Sequence, residues 1–301
     1  MKLVGLMHVR NEQWILRLAI PAAMRLVDEL VVLDHDSTDQ TPAILNQMRS
    51  RFPARLTTAP WEGRHYNETA IRQRLLELGR ARAGTHFFMI DADEILTANL
   101  IDDVRAHTLA LNPAQGLELP WLAMWASPDQ YRDDDSVWSN NTKLFAFADA
   151  PHVAFRALDD GYDMHLQRPR GLIDPTSQPI TDQNIGGVMH LQFANRRRLI
   201  AKHAWYKMSE AIRFPGRESA AAIDAKYNQA LDERGLRVRP APPQWWDQYT
   251  QDRAFLDHDD TPWHEQEIAR FWLEHGESAF EGLELWGLPQ KLCAHPIGGQ
   301  R

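Results

Sequence analysis

Residues 87–94 read FFMIDADE. A compact apolar run stops at three carboxylates, and two of them, Asp91 and Asp93, stand two residues apart. In a strand, residues i and i+2 point to the same face. A strand over residues 85–94 would therefore present both carboxylates together where it ends. Two adjacent carboxylates suit a hard divalent ion such as Mg²⁺ or Mn²⁺, which prefers oxygen ligands. The plainer use of Asp-x-Asp is to close a strand and cap a helix.

The residues before this stretch alternate strand and helix. LVGLMHV (3–9) reads as a buried strand, and NEQWILRLAIPAAMRL (11–26) as a helix capped by Asn11 and kinked or broken at Pro21. DELVVLDHD (28–36) reads as a second strand. TPAILNQMRSRF (41–52) reads as a helix with Pro42 in its first turn. ARLTTAPW (54–61) is a weaker strand. NETAIRQRLLELGRARA (67–83) is an amphipathic helix with Asn67 or Thr69 as cap and Gly84 beyond its end. This rhythm predicts an α/β fold with a mostly parallel sheet and helices on both faces. Ligands of such sheets sit outside the carboxyl ends of the strands. Three strand ends carry polar groups: Arg10-Asn11-Glu12, Asp34-His35-Asp36, and Asp91-Ala92-Asp93-Glu94. On one rim these acids repel each other unless a cation or a donor-rich ligand joins them.

Beyond residue 100 the pattern loosens. Strands are expected at 117–127, 142–149 and 186–193, loops over 150–186, and a long helix at 195–213. The division is residues 1–194 as the sheet domain and 195–301 as a helical extension packed on it.

The chain has 301 residues, 33 basic and 41 acidic, for a net charge of −8. That balance lacks the basic footprint of a nucleic-acid binder. The basic cluster Arg196, Arg197, Arg198 and Lys202 reads either as a solvated helix face or as an anion site. The single cysteine, Cys293, excludes an internal disulfide. No apolar run approaches the ~20 residues of a membrane span, and MKLVGLMHVRNE reads as a first strand instead of a signal peptide. A cytoplasmic protein is expected, and a homo-oligomer is left open. The 11 tryptophans include Trp121, Trp125 and Trp138, which are either core or stacking plates for sugar rings. Asp133, Asp134 and Asp135 read as a solvated loop. DHDSTD (34–39) starts like a calcium loop, but Asp39 stands where glycine is needed and Leu45 where the bidentate Glu belongs, which excludes it.

VRNE after strand one, VVLDHDSTDQT after strand two, RQRLLELGRARAGT in the helix and FFMIDADEIL together resemble the family 2 glycosyltransferases of the GT-A fold. The match covers roughly residues 3–100. The resemblance implies a nucleotide-diphosphate sugar as donor, a UDP-sugar first among them, with Mn²⁺ or Mg²⁺ as cofactor. It places Arg10, Asn11 and Glu12 beside the nucleotide and Asp34 on its base or ribose. Asp36 replaces the family's glycine and His35 its second Asp, which leaves the base open. Asp91 would contact ribose or metal, and Asp93 would be the main metal ligand. Arg72 would lie near the diphosphate. His190 is the candidate later metal ligand, ahead of His165. An inverting enzyme also needs a base for the acceptor hydroxyl, for which Asp159 and Asp160 are the candidates, Asp160 preferred; paired acids before glycine are also ordinary turn chemistry. The acceptor (a glycan, lipid-linked precursor, protein or small molecule) and the stereochemical course stay open.

Two rivals remain. LVVLDHDST also fits a haloacid-dehalogenase-type phosphatase, with Asp34 attacking phosphorus, Asp36 as acid/base and residues 159–163 holding Mg²⁺. That reading leaves FFMIDADE without a use. The other is a non-catalytic protein that binds a nucleotide-sugar or glycan.

Overall fold

The computed structural model describes residues 1–61, 66–158, 161–165, 168–256 and 260–294. In chain order the elements are β1 (Leu3–Val9), α1 (Leu16–Leu26), β2 (Glu29–Asp34), α2 (Thr41–Arg51), β3 (Leu56–Pro60), α3 (Glu68–Ala81), β4 (His86–Met89), β5 (Glu94–Leu96), α4 (Ile101–Leu109), β6 (Gln115–Ala123) and β7 (Gln130–Arg132). Next come β8 (Thr142–Ala148), β9 (Ile173–Ser177), β10 (Val188–His190), α5 (Arg196–Arg213), α6 (Ala220–Asn228), β11 (Val238–Pro240), α7 (Thr250–Arg253), α8 (His264–His275) and α9 (Leu288–Ala294).

The predicted α/β class holds. One sheet runs β3-β2-β1-β4-β8-β6-β10-β5, with β9 joined to β6. β1, β2, β3 and β4 are mutually parallel. β8 is antiparallel to both β4 and β6, so β6 points the same way as β4. β10 is parallel to β6. The carboxyl ends of β1, β2, β4 and β10 therefore share one rim. β5 runs against β10 and so starts at that rim, with Glu94 opposite His190.

Strand alternation splits the core. Leu3, Met7, Leu30 and Val32 face one side with α1, α2 and α4, while Val4, Leu6, Val31 and Leu33 face α3. The third cluster joins α5 to α8 and α9 through Trp205, Met208, Ile268 and Leu292. Trp245, Trp246 and Tyr249 from the C-terminal part lie in the first core.

Several local expectations change. Pro21 lies inside an unbroken α1, and the helix starts at Leu16 with no side-chain cap. The Asn11 carboxamide instead accepts from the Thr38 and Asp39 amides and ties the β1 loop to the β2 loop. Asn67 does cap α3, accepting from Ala70 N at 2.9 Å. The segment 150–186 contains β9. Within the acidic loop, Asp134 is buried against Arg132 at 2.7 Å, because Ser136 and Ser139 also donate to it.

Candidate active site

β4 ends at Met89, not Glu94, and residues 91–94 form a turn in which Glu94 N donates to Asp91 O at 3.0 Å. Asp91 and Asp93 thus sit on a turn instead of a strand, and the same-face argument fails. They face different partners. Arg72 reaches both Asp91 oxygens, at 2.8 and 3.1 Å, and Glu68 at 3.3 Å. Asp93 Oδ2 takes Lys202 Nζ at 3.0 Å and His190 Nε2 at 3.3 Å. An ionised carboxylate only accepts, so His190 carries its proton on Nε2, and its buried Nδ1 has no hydrogen-bond partner.

Glu94 is held by the Asp91 amide at 2.9 Å and by the Trp121 indole at 2.8 Å. Lys143 Nζ lies 3.2 Å above the Trp121 ring centre. The His190 ring packs on Trp121 at 4.4 Å, diagonally across the parallel β10–β6 pairing that sets Val188 beside Trp121 and His190 beside Ala123. That register depends on Gly187: a Cβ there would meet Pro120 O at 2.3 Å.

Burial and charge tune these groups. Burial pushes the Asp93 carboxyl up, but Lys202 and His190 outweigh it and hold it well below the usual range. Burial would lower Arg72 and Lys202, but Asp91 and Asp93, respectively, hold both firmly protonated. Burial, then repulsion from Asp91, raises Glu94 to about 7. Burial and the Asp93 charge raise Glu12 to about 8. Burial lowers His190 to about 4 against the pull of Asp93.

Two cavities meet at this cluster. One, of 430 Å³, is lined by Glu94, Trp121, Trp138, Lys143, His190 and Tyr227 among others. The other holds only 70 Å³, room for about two waters, between His8, Arg10 and Glu12 on the rim and Trp205, Trp263 and His264 opposite. Asp91, Lys202 and Tyr206 line both. A larger hollow of 820 Å³ around Trp272 and Leu283 shares none of the strand-end residues.

The expected site residues thus divide. Asp91, Asp93, Glu12, Arg10 and His190 line one or both cavities, and Arg72 reaches Asp91. Arg10 lies 4.6 Å over the Trp263 ring, at the edge of the seam. Asn11, Asp34 and Asp36 do not line either cavity. Asp34 accepts from Ser37 N, and Asp36 is exposed at φ 52°, so the phosphatase reading gains no cavity at those acids. Asp159 and Asp160 lie outside the described residues. Trp121 and Trp138 line the larger cavity, while Trp125 is buried beneath Arg132. His165 lines the larger cavity and meets the Tyr227 hydroxyl at 2.8 Å.

Of the basic cluster, Arg196, Arg197 and Arg198 pair with Glu233, Glu265 and Asp260. Only Lys202 enters the site. The anion-site alternative offered for this cluster thus narrows to Lys202, one helical turn beyond Arg198 on α5.

A divalent ion does not fit this donor set. Asp93 Oδ2 already holds an ammonium, His190 turns an N–H toward that oxygen, and Asp91 is engaged by a guanidinium. Among the described residues, no three His, Cys, Asp or Glu groups converge on one point. No helix in the described residues is long and apolar enough to cross a membrane.

No protein-family model and no curated protein sequence matches the chain. Among solved structures it is similar to S. aureus TarS 1–349, at 13% identity and a TM-score of 0.42, covering 97% of this chain and 88% of that one. The same fragment in complex with UDP gives 12%, 0.37, 97% and 88%. GalNAc-T7 with UDP, GalNAc and Mn²⁺ gives 12% and 0.36, covering 92% of this chain and 58% of that one. At such identities and scores the likeness fixes neither family nor activity.

Proposed function

We propose that this chain is a glycosyltransferase of GT-A type that takes a nucleotide-diphosphate sugar, a UDP-sugar first among candidates. One observation carries the reading. The acidic turn after β4, with Arg72 and Lys202, lies between a seam beside the β1 loop and a 430 Å³ cavity. That volume is within the usual range of a small-molecule site, roughly 300–1,000 Å³. The nucleotide belongs in the seam, where Tyr66, Trp205 and Trp263 must move to admit it. The diphosphate belongs at the junction, and the sugar and acceptor in the larger cavity.

The transfer breaks the bond between the anomeric carbon and the terminal phosphate oxygen. Its electron pair leaves with the phosphate, and the acceptor oxygen forms the new bond to carbon. The acceptor proton goes to a carboxylate, for which Asp160 is the sequence candidate. Cations fixed beside the leaving diphosphate stabilise the charge that develops there, and holding both substrates together supplies proximity.

The test is thermal stability against UDP, GDP, CDP and dTDP, with the acceptor-independent hydrolysis of UDP-sugars as a second readout. Ligand binding to the native state raises the midpoint. A rise with one nucleotide supports the reading and names the base. No rise with any of them rejects it.

A further inference from the structure

We infer that the Lys202 ammonium takes the place of a divalent ion, so that this site binds a nucleoside diphosphate without metal. The inference rests on the transferase reading and specifies how its donor is held.

Lys202 Nζ is 3.0 Å from Asp93 Oδ2, where the Asp-x-Asp pattern leads one to expect a metal ion. Lys202 also lines both cavities, so its charge stands at their junction. The side chain is 19% exposed and faces both cavities, so a ligand lodged in either lies against it. An ammonium has three donors. Asp93 uses one, which leaves donors for phosphate oxygens.

The surroundings keep that charge in place. α5 approaches the rim with Arg198 fixed on Asp260 and lying 4.1 Å over Trp14. One turn later Lys202 is delivered to Asp93. His190 supports Asp93 from the other side, at 3.3 Å. Arg72, also buried, supplies a second cation across the Asp91 carboxylate at 2.8 Å. Two protein cations thus flank the acidic turn. A metal at Asp93 would have to displace the Lys202 ammonium and turn His190 over. Asp93 on this account is not a ligand but the anchor that sets the position of Nζ.

The chemistry balances without another component. When the sugar leaves, the diphosphate gains one negative charge, and a fixed ammonium offsets it without being consumed. A purely structural ion pair between α5 and the turn would have no bearing on whether nucleotide binding needs metal, and that dependence is the property to measure.

The experiment titrates UDP, GDP, CDP and dTDP into the full chain by calorimetry, once in EDTA and once in Mn²⁺. The variants are Lys202→Met and Lys202→Arg, each first checked for native circular dichroism. The expected result is an affinity for one nucleotide that changes less than about twofold between EDTA and Mn²⁺. Loss of a charge-assisted hydrogen bond predicts roughly tenfold to a hundredfold weaker binding for Lys202→Met in EDTA, with partial retention in Lys202→Arg. Asp93 is freed in Lys202→Met, so Mn²⁺ should recover part of that loss in the variant and not in the wild type. Wild-type binding that appears only with Mn²⁺ overturns the inference and leaves the transferase reading standing. No binding of any nucleotide in either buffer overturns both. A Lys202→Met variant that binds as tightly as wild type in EDTA overturns the role of Lys202 by itself. None of the wild-type measurements depends on a variant that folds.

Discussion

Replacing Asp93 by asparagine removes the charge that Lys202 and His190 share while keeping nearly the same shape. The carboxylate is 6% exposed, and both donors meet one oxygen, at 3.0 and 3.3 Å. The new amide oxygen still accepts one of them. The Lys202 bond to that oxygen keeps its charged donor but loses the opposite charge. A second donor left without its partner costs about 1–3 kcal/mol, and with the uncompensated ammonium the total is about 2–3 kcal/mol. Cutting a fully buried ion pair costs about 3–5 kcal/mol, and the opening of Lys202 to the cavity keeps this case below that range. For a chain of this size the midpoint should fall by about 3–5 °C. Urea unfolding at neutral pH, followed by tryptophan fluorescence, measures the loss as a lower transition midpoint with an unchanged slope. A double-mutant cycle with Lys202→Met should return a coupling of at least about 1 kcal/mol. A change within about 0.5 kcal/mol, the range of a surface substitution, together with zero coupling, would refute the Asp93–Lys202 contact.

Trp121→Phe keeps an aromatic face, with a smaller ring, but deletes the indole N–H that reaches Glu94 at 2.8 Å. The orphaned buried acceptor should cost about 1–3 kcal/mol in urea unfolding, and no loss would show that Glu94 finds another donor. Gly187→Ala drives a Cβ into the Pro120 carbonyl, 2.3 Å away. It should cost about 3 kcal/mol in the same assay by prying β10 from β6, and a neutral result would contradict the strand register. Burial, then Lys202, lowers His203 from 6.5 to about 3, while its Nδ1–H donates to Tyr227 O at 3.0 Å. Below pH 6.5 the unfolded chain binds a proton that the folded chain refuses, so stability falls as pH drops toward 3, by about 1.4 kcal/mol per unit. His203→Asn keeps a donor without that proton, and the difference between wild type and variant should change with that slope; a pH-independent difference would show that His203 is protonated when folded.

Local patterning was enough to specify the sheet-forming half of the molecule. The compact apolar runs LVGLMHV and ELVVLD marked the strands from neighbouring residues alone, while the face each side chain buries came from the packing of helices on both sides. The Asn67 cap was legible from neighbouring residues too. Parallel strands then brought Arg10, Glu12, Asp91 and Asp93 to one rim, since every carboxyl end in such a sheet faces the same way. Local pattern misled where backbone pairing stopped. β4 ends at Met89 because Glu94 N turns back to Asp91 O, and that turn sends Asp91 to Arg72 and Asp93 to His190 and Lys202. What answers the acidic rim emerged only in three dimensions. Lys202 is 109 residues from Asp93 in the chain, and no spacing rule links them. The packing of α5 against α8, through Trp205 and Ile268, delivers it there. A buried carboxylate must find a cation somewhere, and it took the packing of distant helices to make that cation a side chain of the protein.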